Sequence, residues 1–224
     1  MRANHETESK RALKLGIFGG TFNPIHTGHL LIAQDALEAF DLDKVLFIPS
    51  ANPPHKEAPD LAAARHRLAM VRLAIRGNRG FDCTDIEIKR GGLSYTIDTI
   101  GALQKKHPRT KLYLLIGSDS LNEFHKWREA NRLARLCRVV AVLRPGERKF
   151  QFNRKRLPGL RPLTLRAHPF AVSSTEIRDR VRAGKSIRYL LPEVVAKYIA
   201  RHSLYRNRDG NATHSKSGKE KIHT

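Results

Sequence analysis

Residues Lys14–His29 read KLGIFGGTFNPIHTGH, and this stretch decides the fold. It opens with a short apolar run, Lys14 to Phe18, which two glycines follow at once; this is the pattern of a buried strand that ends in a tight turn. Beyond it, apolar side chains recur at helical spacing, at Leu30, Ala33, Leu37 and Phe40. A strand, a glycine turn and a helix in this order predict the first unit of a parallel α/β sheet.

Similar apolar runs recur along the chain and predict three more strands. They span Lys44 to Ile48, Lys111 to Ile116 and Arg138 to Leu143, and their near-continuous apolar character is typical of a sheet covered on both faces. Between and after them the spacing predicts helices over Leu61 to Ile75, over Tyr95 to Lys106, from Ser173 to about Gly184, and from Pro192 onward. We therefore predict the α/β class, with a doubly wound parallel sheet and a small C-terminal helical part. Ligands of such sheets bind at the carboxyl ends of the strands.

Length and composition fit one globular domain. The chain has 224 residues, of which 40% are hydrophobic and 28% charged. We expect a flexible N-terminal extension over 1–13, a single domain over 14–205 and a flexible basic tail over 206–224. No run of about 20 apolar residues could cross a membrane, and no secretory signal is visible, so we expect a cytoplasmic protein with no membrane partner. Cys83 and Cys137 have no metal-ligand spacing and are expected to be reduced.

The net charge of +21 is the unusual feature of the composition. Between Arg144 and Arg166, eight basic residues oppose one acidic residue, Glu147, which gives this stretch a net +7. Such an excess is explained either by a solvated surface or by an anionic partner, nucleic acid included.

The segment between the first strand and the first helix carries the chemistry. Gly19 and Gly20 have no Cβ, so their backbone can approach a ligand closely. His26 and His29 fall at the helix start, where free backbone N–H groups and the helix dipole favour a phosphate. The same histidines could instead cap the helix, or bind a metal if a third ligand were evident, which it is not; we predict no metal site.

The string GGTFNPIHTGH resembles the HxGH signature of the nucleotidyltransferase superfamily, in the form found in bacterial nicotinate mononucleotide adenylyltransferases. A second string, SSTEIR at Ser173–Arg178, resembles the (I/V)SSTxIR motif of the same superfamily. The resemblance extends over about Leu13 to Tyr205 and implies a Rossmann-like nucleotidyltransferase fold. Many relatives carry Asp where this chain has Asn23, which puts any role for a carboxylate there in doubt.

The resemblance implies an ATP site built from both motifs. It makes His26, His29 and Arg178 the catalytic residues. On the residues alone, Ser173–Arg178 is equally an ordinary capped helix start, and Asp119 either contacts ribose or caps a helix. The residues implied to contact ATP are Gly19, Gly20, Thr21, Phe22, His26, His29, Gly117, Asp119, Arg144, Ser173, Ser174, Thr175 and Arg178.

Three further strings resemble the family's acceptor site. They are SANPPHK from Ser50, SYTIDT from Ser94 and GSDSLNEFHKW from Gly117. By resemblance, Trp127 stacks on the pyridine ring and the region of Thr96 meets the nicotinate carboxylate. Without the resemblance these strings would be a solvated turn, a helix start and a core tryptophan. The implied acceptor-binding residues are Asn52, His55, Lys56, Thr96, Trp127 and Arg128.

The implied reaction transfers the adenylyl group of ATP to nicotinate mononucleotide, with Mg²⁺ as the cofactor that arrives with ATP. ATP and nicotinate mononucleotide are the expected partners, nucleic acid is not expected, and a homo-oligomer is left open. The alternatives are a related adenylyltransferase or cytidylyltransferase with another acceptor, such as nicotinamide mononucleotide or phosphopantetheine, a basic nucleic-acid-binding protein, and a regulator that has kept the site but lost turnover.

Overall fold

A computed structural model describes residues 11–52, 60–143 and 146–206. Its strands are β1 (Lys14–Gly20), β2 (Lys44–Pro49), β3 (Phe81–Cys83), β4 (Lys111–Gly117), β5 (Arg138–Leu143) and β6 (Leu163–Arg166). Its helices are α1 (Thr27–Ala39), α2 (Ala64–Ala74), α3 (Ile86–Arg90), α4 (Thr96–Lys106), α5 (Ser118–Asn122), α6 (Ala130–Leu136), α7 (Ser174–Arg182) and α8 (Glu193–Arg201), and a short 3₁₀ turn covers Phe124–Lys126.

The six strands form one sheet in the order β3-β2-β1-β4-β5-β6, and every neighbouring pair is parallel. The order reverses between β1 and β4, which are adjacent in space although β2 and β3 lie between them in the chain. This arrangement confirms the predicted doubly wound α/β fold with its C-terminal helices.

The sheet separates two apolar layers, and β4 shows how one strand serves both. Tyr113 and Leu115 pack into the layer beneath α1, α2 and α8, whereas Leu114 and Ile116 pack on the opposite face with α4 and α6. Successive side chains of a strand point to opposite faces, so a strand covered on both sides must be apolar throughout. This is why the long apolar runs predicted the central strands.

All four predicted strands are present, and the two missed ones lie at the edges of the sheet. β3 has the sequence FDC and β6 the sequence LTLR. Runs this short, with polar residues between the apolar ones, carry too little periodicity to be distinguished from loops. The five predicted helices correspond to α1, α2, α4, α7 and α8; the missed helices α3, α5 and α6 have five to seven residues each.

The N-terminal end of the described chain is bonded to the rest of the domain. Arg11 Nη2 donates to Asp43 Oδ1 at 2.7 Å, and the Leu13 carbonyl accepts from Lys111 N at 2.7 Å. Residues 11–13, which we assigned to the extension, therefore hydrogen-bond to the domain. No helix in the described ranges combines the length and apolar character needed to span a bilayer.

Candidate active site

The site lies where the strand order reverses, at the carboxyl ends of β1 and β4. β1 ends at Gly20 and leads into α1, which packs on one face of the sheet; β4 ends at Gly117 and leads into α5, on the other face. Because the two connections diverge, a crevice opens between them, as is general for doubly wound sheets. The two strings singled out in the sequence, GGTFNPIHTGH and GSDSLNEFHKW, follow these two strands.

The two glycines of the first string serve different purposes. A Cβ at Gly20 would lie 2.9 Å from the ring of Phe22, so the local packing itself requires glycine there. A Cβ at Gly19 would meet no protein atom within 4 Å, and Gly19 lines the crevice. The absence of a side chain at Gly19 therefore keeps space open for a ligand rather than for the fold.

His26 and His29 stand at the N-terminus of α1 with their ring centroids 3.7 Å apart. The backbone N–H of His26 donates to Nδ1 of His29 at 3.2 Å. A ring nitrogen that accepts a hydrogen bond carries no proton, so in the neutral ring the proton is on Nε2, which can donate to a ligand. His29 thus both closes the first turn of the helix and presents a donor.

His26 is buried, with 7% of its surface exposed. Burial lowers the pKa of His26 to about 4, so the ring is neutral at pH 7. Its Nδ1 is buried and has no hydrogen-bond partner among the described residues. An unpaired buried nitrogen is costly in a folded protein and is expected to be satisfied by a ligand or an ordered water.

The second motif docks directly on the first. Ser173 is the N-cap of α7, since its Oγ accepts from Glu176 N at 3.1 Å, as the sequence predicted. Ser174 Oγ donates to the Pro24 carbonyl at 2.8 Å. The Ser173 hydroxyl therefore caps the first turn of α7, and the Ser174 hydroxyl joins α7 to the β1–α1 loop.

Arg178 completes this junction. Its Nη1 donates to the Asn23 carbonyl at 3.0 Å and its Nη2 to Thr175 Oγ1 at 3.3 Å. Its Nε is buried and lacks a partner within the part of the chain that the structure describes. The structure thus brings Arg178, which is about 150 residues from the two histidines in the sequence, to the loop that carries His26 and His29.

The side-chain amide of Asn23 makes three hydrogen bonds within the protein. Its Nδ2 donates to the Asp60 carbonyl at 3.0 Å, while its Oδ1 accepts from Ala62 N at 3.1 Å and from Tyr205 Oη at 2.8 Å. This answers the doubt raised by the departure at this position, because the amide holds the loop and no carboxylate chemistry is needed from it.

A cavity of about 820 Å³ extends from the β1 end of the site toward α4 and the 3₁₀ turn. This volume is within the range of small-molecule sites. Seven of the predicted site residues line it: Gly19, Gly20, Thr21, Thr96, Asp119, Trp127 and Arg128. The structure therefore brings residues from both predicted substrate sites to one cavity.

Trp127 is the single tryptophan and has a half-buried ring, whose centroid lies 5.1 Å from that of Phe124. One side of the ring is thus supported by the core while the residue faces the cavity. Arg128 lies beside it, with its guanidinium 4.9 Å from the centroid of the Tyr95 ring. An aromatic ring next to a cation suits a flat, anionic ligand.

Some predicted residues lie elsewhere. His55, Lys56 and Arg144 fall outside the described residues. Asn52 is exposed and forms an isolated β-bridge with Leu93. Phe22 is only 2% exposed and its ring packs on Phe18 and Phe47, so its predicted contact with ATP would be made by its backbone.

Comparison with known proteins agrees with this geometry. The model of the cytidylyltransferase-like family matches residues 17–180. A relative from Salinibacter ruber is 42% identical over 88% of this chain and 100% of its own length; one from Gemmatimonas aurantiaca is 44% identical over 87% and 93%. Each is named a probable nicotinate-nucleotide adenylyltransferase. The chain belongs to the cytidylyltransferase-like family and, within it, to the nicotinate-nucleotide adenylyltransferases.

The fold of this adenylyltransferase is also that of solved structures. The nicotinic acid mononucleotide adenylyltransferase of Plasmodium falciparum, complexed with NaAD, aligns with a TM-score of 0.70 at 19% identity, over 86% of this chain and 97% of its own. The same Plasmodium enzyme complexed with APC aligns with a TM-score of 0.69. At 19% identity, this structural similarity establishes that the two proteins share a fold, and nothing further.

Two buried charged residues of the adenylyltransferase site were not found from the sequence. Glu87 lines the cavity at 7% exposure and accepts from Thr99 Oγ1 at 2.7 Å, and Arg90 Nη2 donates to the same hydroxyl at 3.0 Å. Arg67 is 1% exposed and donates to three backbone carbonyls around the site. Both lie on helices with charged neighbours, where their type predicts an exposed face, and only the fold shows that they are buried.

Within the described ranges, no group of three or more His, Cys, Asp or Glu side chains could hold a metal ion. The groups that meet at the two motifs are imidazole and guanidinium nitrogens and backbone N–H groups. These bind phosphate oxygens rather than Mg²⁺, which takes oxygen ligands. The donor set therefore fits phosphate groups.

Proposed function

We propose that this chain transfers the adenylyl group of ATP to nicotinate mononucleotide, releasing pyrophosphate and forming deamido-NAD. The observation that carries the proposal is the meeting of the two motifs at one loop, where Arg178 Nη1 bonds the Asn23 carbonyl, beside a cavity lined by Trp127 and Thr96. Family membership supports the same reaction.

ATP is placed by the first and second motifs. The N-terminus of α1 supplies the positive end of the helix dipole, which favours an anion. Neutral His26 and the Nε2 of His29 offer ring N–H donors, and Arg178 supplies the positive charge of an arginine. Gly19 leaves room for the nucleotide to approach the backbone at the end of β1.

The acceptor is placed in the cavity. Trp127 offers the face of an aromatic ring, and Thr96 begins α4, so its backbone N–H is one of the unpaired donors of that helix. Arg128 adds a positive charge at the rim. This combination fits a pyridine ring that bears a carboxylate.

The transfer then follows from position and charge. A phosphate oxygen of nicotinate mononucleotide attacks the α-phosphorus of ATP, a new P–O bond forms, and the bond from the α-phosphorus to the bridging oxygen breaks, with pyrophosphate as the leaving group. No protein nucleophile is needed because the substrate phosphate already is one. The protein holds two polyanions in line and stabilises the negative charge that develops on the α-phosphate and on pyrophosphate.

A Mg²⁺ ion that arrives with ATP would neutralise part of the phosphate charge. The residues of this chain hold the nucleotide rather than the ion, in keeping with their nitrogen donors. The cytoplasmic location, the oligomeric state and the absence of a nucleic-acid partner remain predictions.

The proposal is tested by measuring pyrophosphate release from Mg-ATP with equal concentrations of nicotinate mononucleotide, nicotinamide mononucleotide or phosphopantetheine. We expect release with the nicotinate form well above that with the other two. A preference for another acceptor would keep adenylyl transfer but refute the assignment of the Trp127 cavity. No release with any acceptor would refute the proposed function.

A further inference from the structure

Arg67, on α2, is among the most buried side chains of the protein, with 1% of its surface exposed. Its guanidinium makes three hydrogen bonds to main-chain carbonyls: Nε to Ala62 at 2.9 Å, Nη1 to Thr21 at 2.8 Å and Nη2 to Ala51 at 2.9 Å. The flat fork of an arginine can reach three carbonyls in this way, whereas a lysine cannot.

The three carbonyls belong to three separate pieces of chain around the cavity. Thr21 follows β1 and lines the cavity. Ala51 follows β2, within the string SANPPHK, and Ala62 precedes α2. Arg67 therefore sets the spacing between the β1 end and the β2 end of the site. No other described side chain bonds both Thr21 and Ala51.

Both backbone groups of Ala51, its N–H and its carbonyl, form hydrogen bonds with side chains. While Arg67 bonds its carbonyl, its N–H donates to Ser94 Oγ at 3.0 Å, and Ser94 itself lines the cavity. Ala51 thus lies between a buried cation and the segment that leads into α4. A shift of Arg67 would move Ala51, which is bonded on both sides of its peptide, and would also release the Thr21 carbonyl at the start of the β1–α1 loop.

The charge of Arg67 is also unusual. Among the described residues its hydrogen-bond partners are neutral carbonyls, and no carboxylate forms an ion pair with it. Burial lowers the pKa of Arg67, yet an arginine stays protonated at neutral pH. A buried charge without a counter-charge is costly, and a phosphate that binds in the neighbouring cavity would offset it.

We propose that Arg67 is a positioning residue for the acceptor mononucleotide, which it serves without contact by fixing Thr21 and Ala51 and by adding positive potential to that side of the cavity. This inference rests on the proposed function. It predicts a larger defect in acceptor binding than in ATP binding or in the chemical step.

The experiment compares Arg67→Met and Arg67→Lys with Arg65→Met, which alters an exposed arginine on the same helix. KM for nicotinate mononucleotide, KM for Mg-ATP and kcat are measured for each protein. Acceptor binding without ATP is followed separately by calorimetric titration, and the thermal midpoint reports folding.

We expect Arg67→Met to raise the acceptor KM and its dissociation constant by about 10- to 100-fold, since charged hydrogen bonds to the acceptor wall are lost. KM for ATP should rise less than KM for the acceptor, and kcat should stay within about threefold of the wild type. Arg67→Lys, which keeps the charge but not the fork, should fall in between, and Arg65→Met should match the wild type.

The inference is overturned if Arg67→Met binds the acceptor as the wild type does, or if KM for ATP rises as much as that for the acceptor. If the methionine variant does not fold, the lysine variant decides by the same two comparisons. A wild-type protein that neither binds nor uses nicotinate mononucleotide overturns the proposed function. A wild type that uses it, beside an unaffected Arg67→Met, overturns the inference alone.

Discussion

Arg178 Nη1 donates a 3.0 Å hydrogen bond to the backbone carbonyl of Asn23, 155 residues earlier in the chain. This bond joins the helix of the second motif to the loop of the first. It orients the guanidinium along the loop that leads to His26 and His29. The proposed ATP site therefore includes the C-terminal helix that carries Arg178, docked on the β1–α1 loop.

The first prediction concerns this bond. Arg178→Lys keeps the charge but cannot make the same pair of hydrogen bonds to Asn23 and Thr175, so we expect kcat/KM for ATP to fall about 10- to 100-fold. The measurement is steady-state pyrophosphate release. Arg180→Lys, on the same helix and directed to Ser186, is the matched control and should keep near wild-type efficiency. Equal activity of the two variants would refute the role of Arg178.

The second prediction concerns His29. Its replacement by alanine removes the Nε2 donor, and we expect kcat to fall about 100-fold or more, as when one preorganised donor is lost from a site of charge development. It also removes the acceptor for His26 N, which should cost about 1 kcal/mol of stability. Turnover and chemical denaturation measure the two effects. His107→Ala, at an exposed position after α4, is the control. Turnover near that of the wild type in His29→Ala would contradict the assignment.

The third prediction concerns pH. The pKa of His26 is about 4 in the folded protein and 6.5 in the unfolded chain, because burial disfavours the charged ring. Between these values the unfolded state binds the extra proton, so the free energy of unfolding decreases as the pH falls from about 6.5 to about 4. The full contribution is about 3 kcal/mol.

Denaturation curves of the wild type and of His26→Asn at several pH values isolate this contribution. The asparagine variant cannot titrate, so the difference in unfolding free energy between the two proteins should vary over this pH range and be constant above pH 7. A difference that does not change with pH would show that His26 is not buried in its neutral form.

The fourth prediction concerns Tyr205. Burial raises the pKa of its hydroxyl, which is therefore protonated and donates to Asn23 Oδ1 at 2.8 Å. Tyr205→Phe should lower the free energy of unfolding by about 1 kcal/mol, because Asn23 keeps its bonds to Asp60 and Ala62. Tyr189→Phe, at a position 81% exposed, should leave stability unchanged. A change of the same size in both variants would refute the anchoring of the loop by Tyr205.

Much of the site could be predicted from sequence because its residues occur in short contiguous strings. GGTFNPIHTGH and SSTEIR each combine a turn, a helix start and phosphate donors within a few residues, so the local order already indicates the chemistry. The central strands were predictable for a similar reason, since a strand covered on both faces must be apolar throughout.

What could not be predicted depends on contacts between distant residues. Arg67 belongs to a helix rich in arginine, and nothing in its neighbourhood shows that it alone points inward to Thr21 and Ala51. The hydrogen bonds of the Asn23 side chain reach Asp60, Ala62 and Tyr205, which only the fold brings near. The burial of the Phe22 ring in the core is likewise visible only in the fold.

The most direct test of the central claim follows the phosphorus atoms of ATP. Wild-type protein is incubated with nicotinate mononucleotide and with ATP labelled either at the α-phosphate or at the γ-phosphate, and the products are separated by chromatography. Attack at the α-phosphorus predicts that the α-label enters deamido-NAD and that the γ-label leaves in pyrophosphate. The account is contradicted if the γ-label appears on the acceptor or in free orthophosphate, or if the α-label never joins the acceptor.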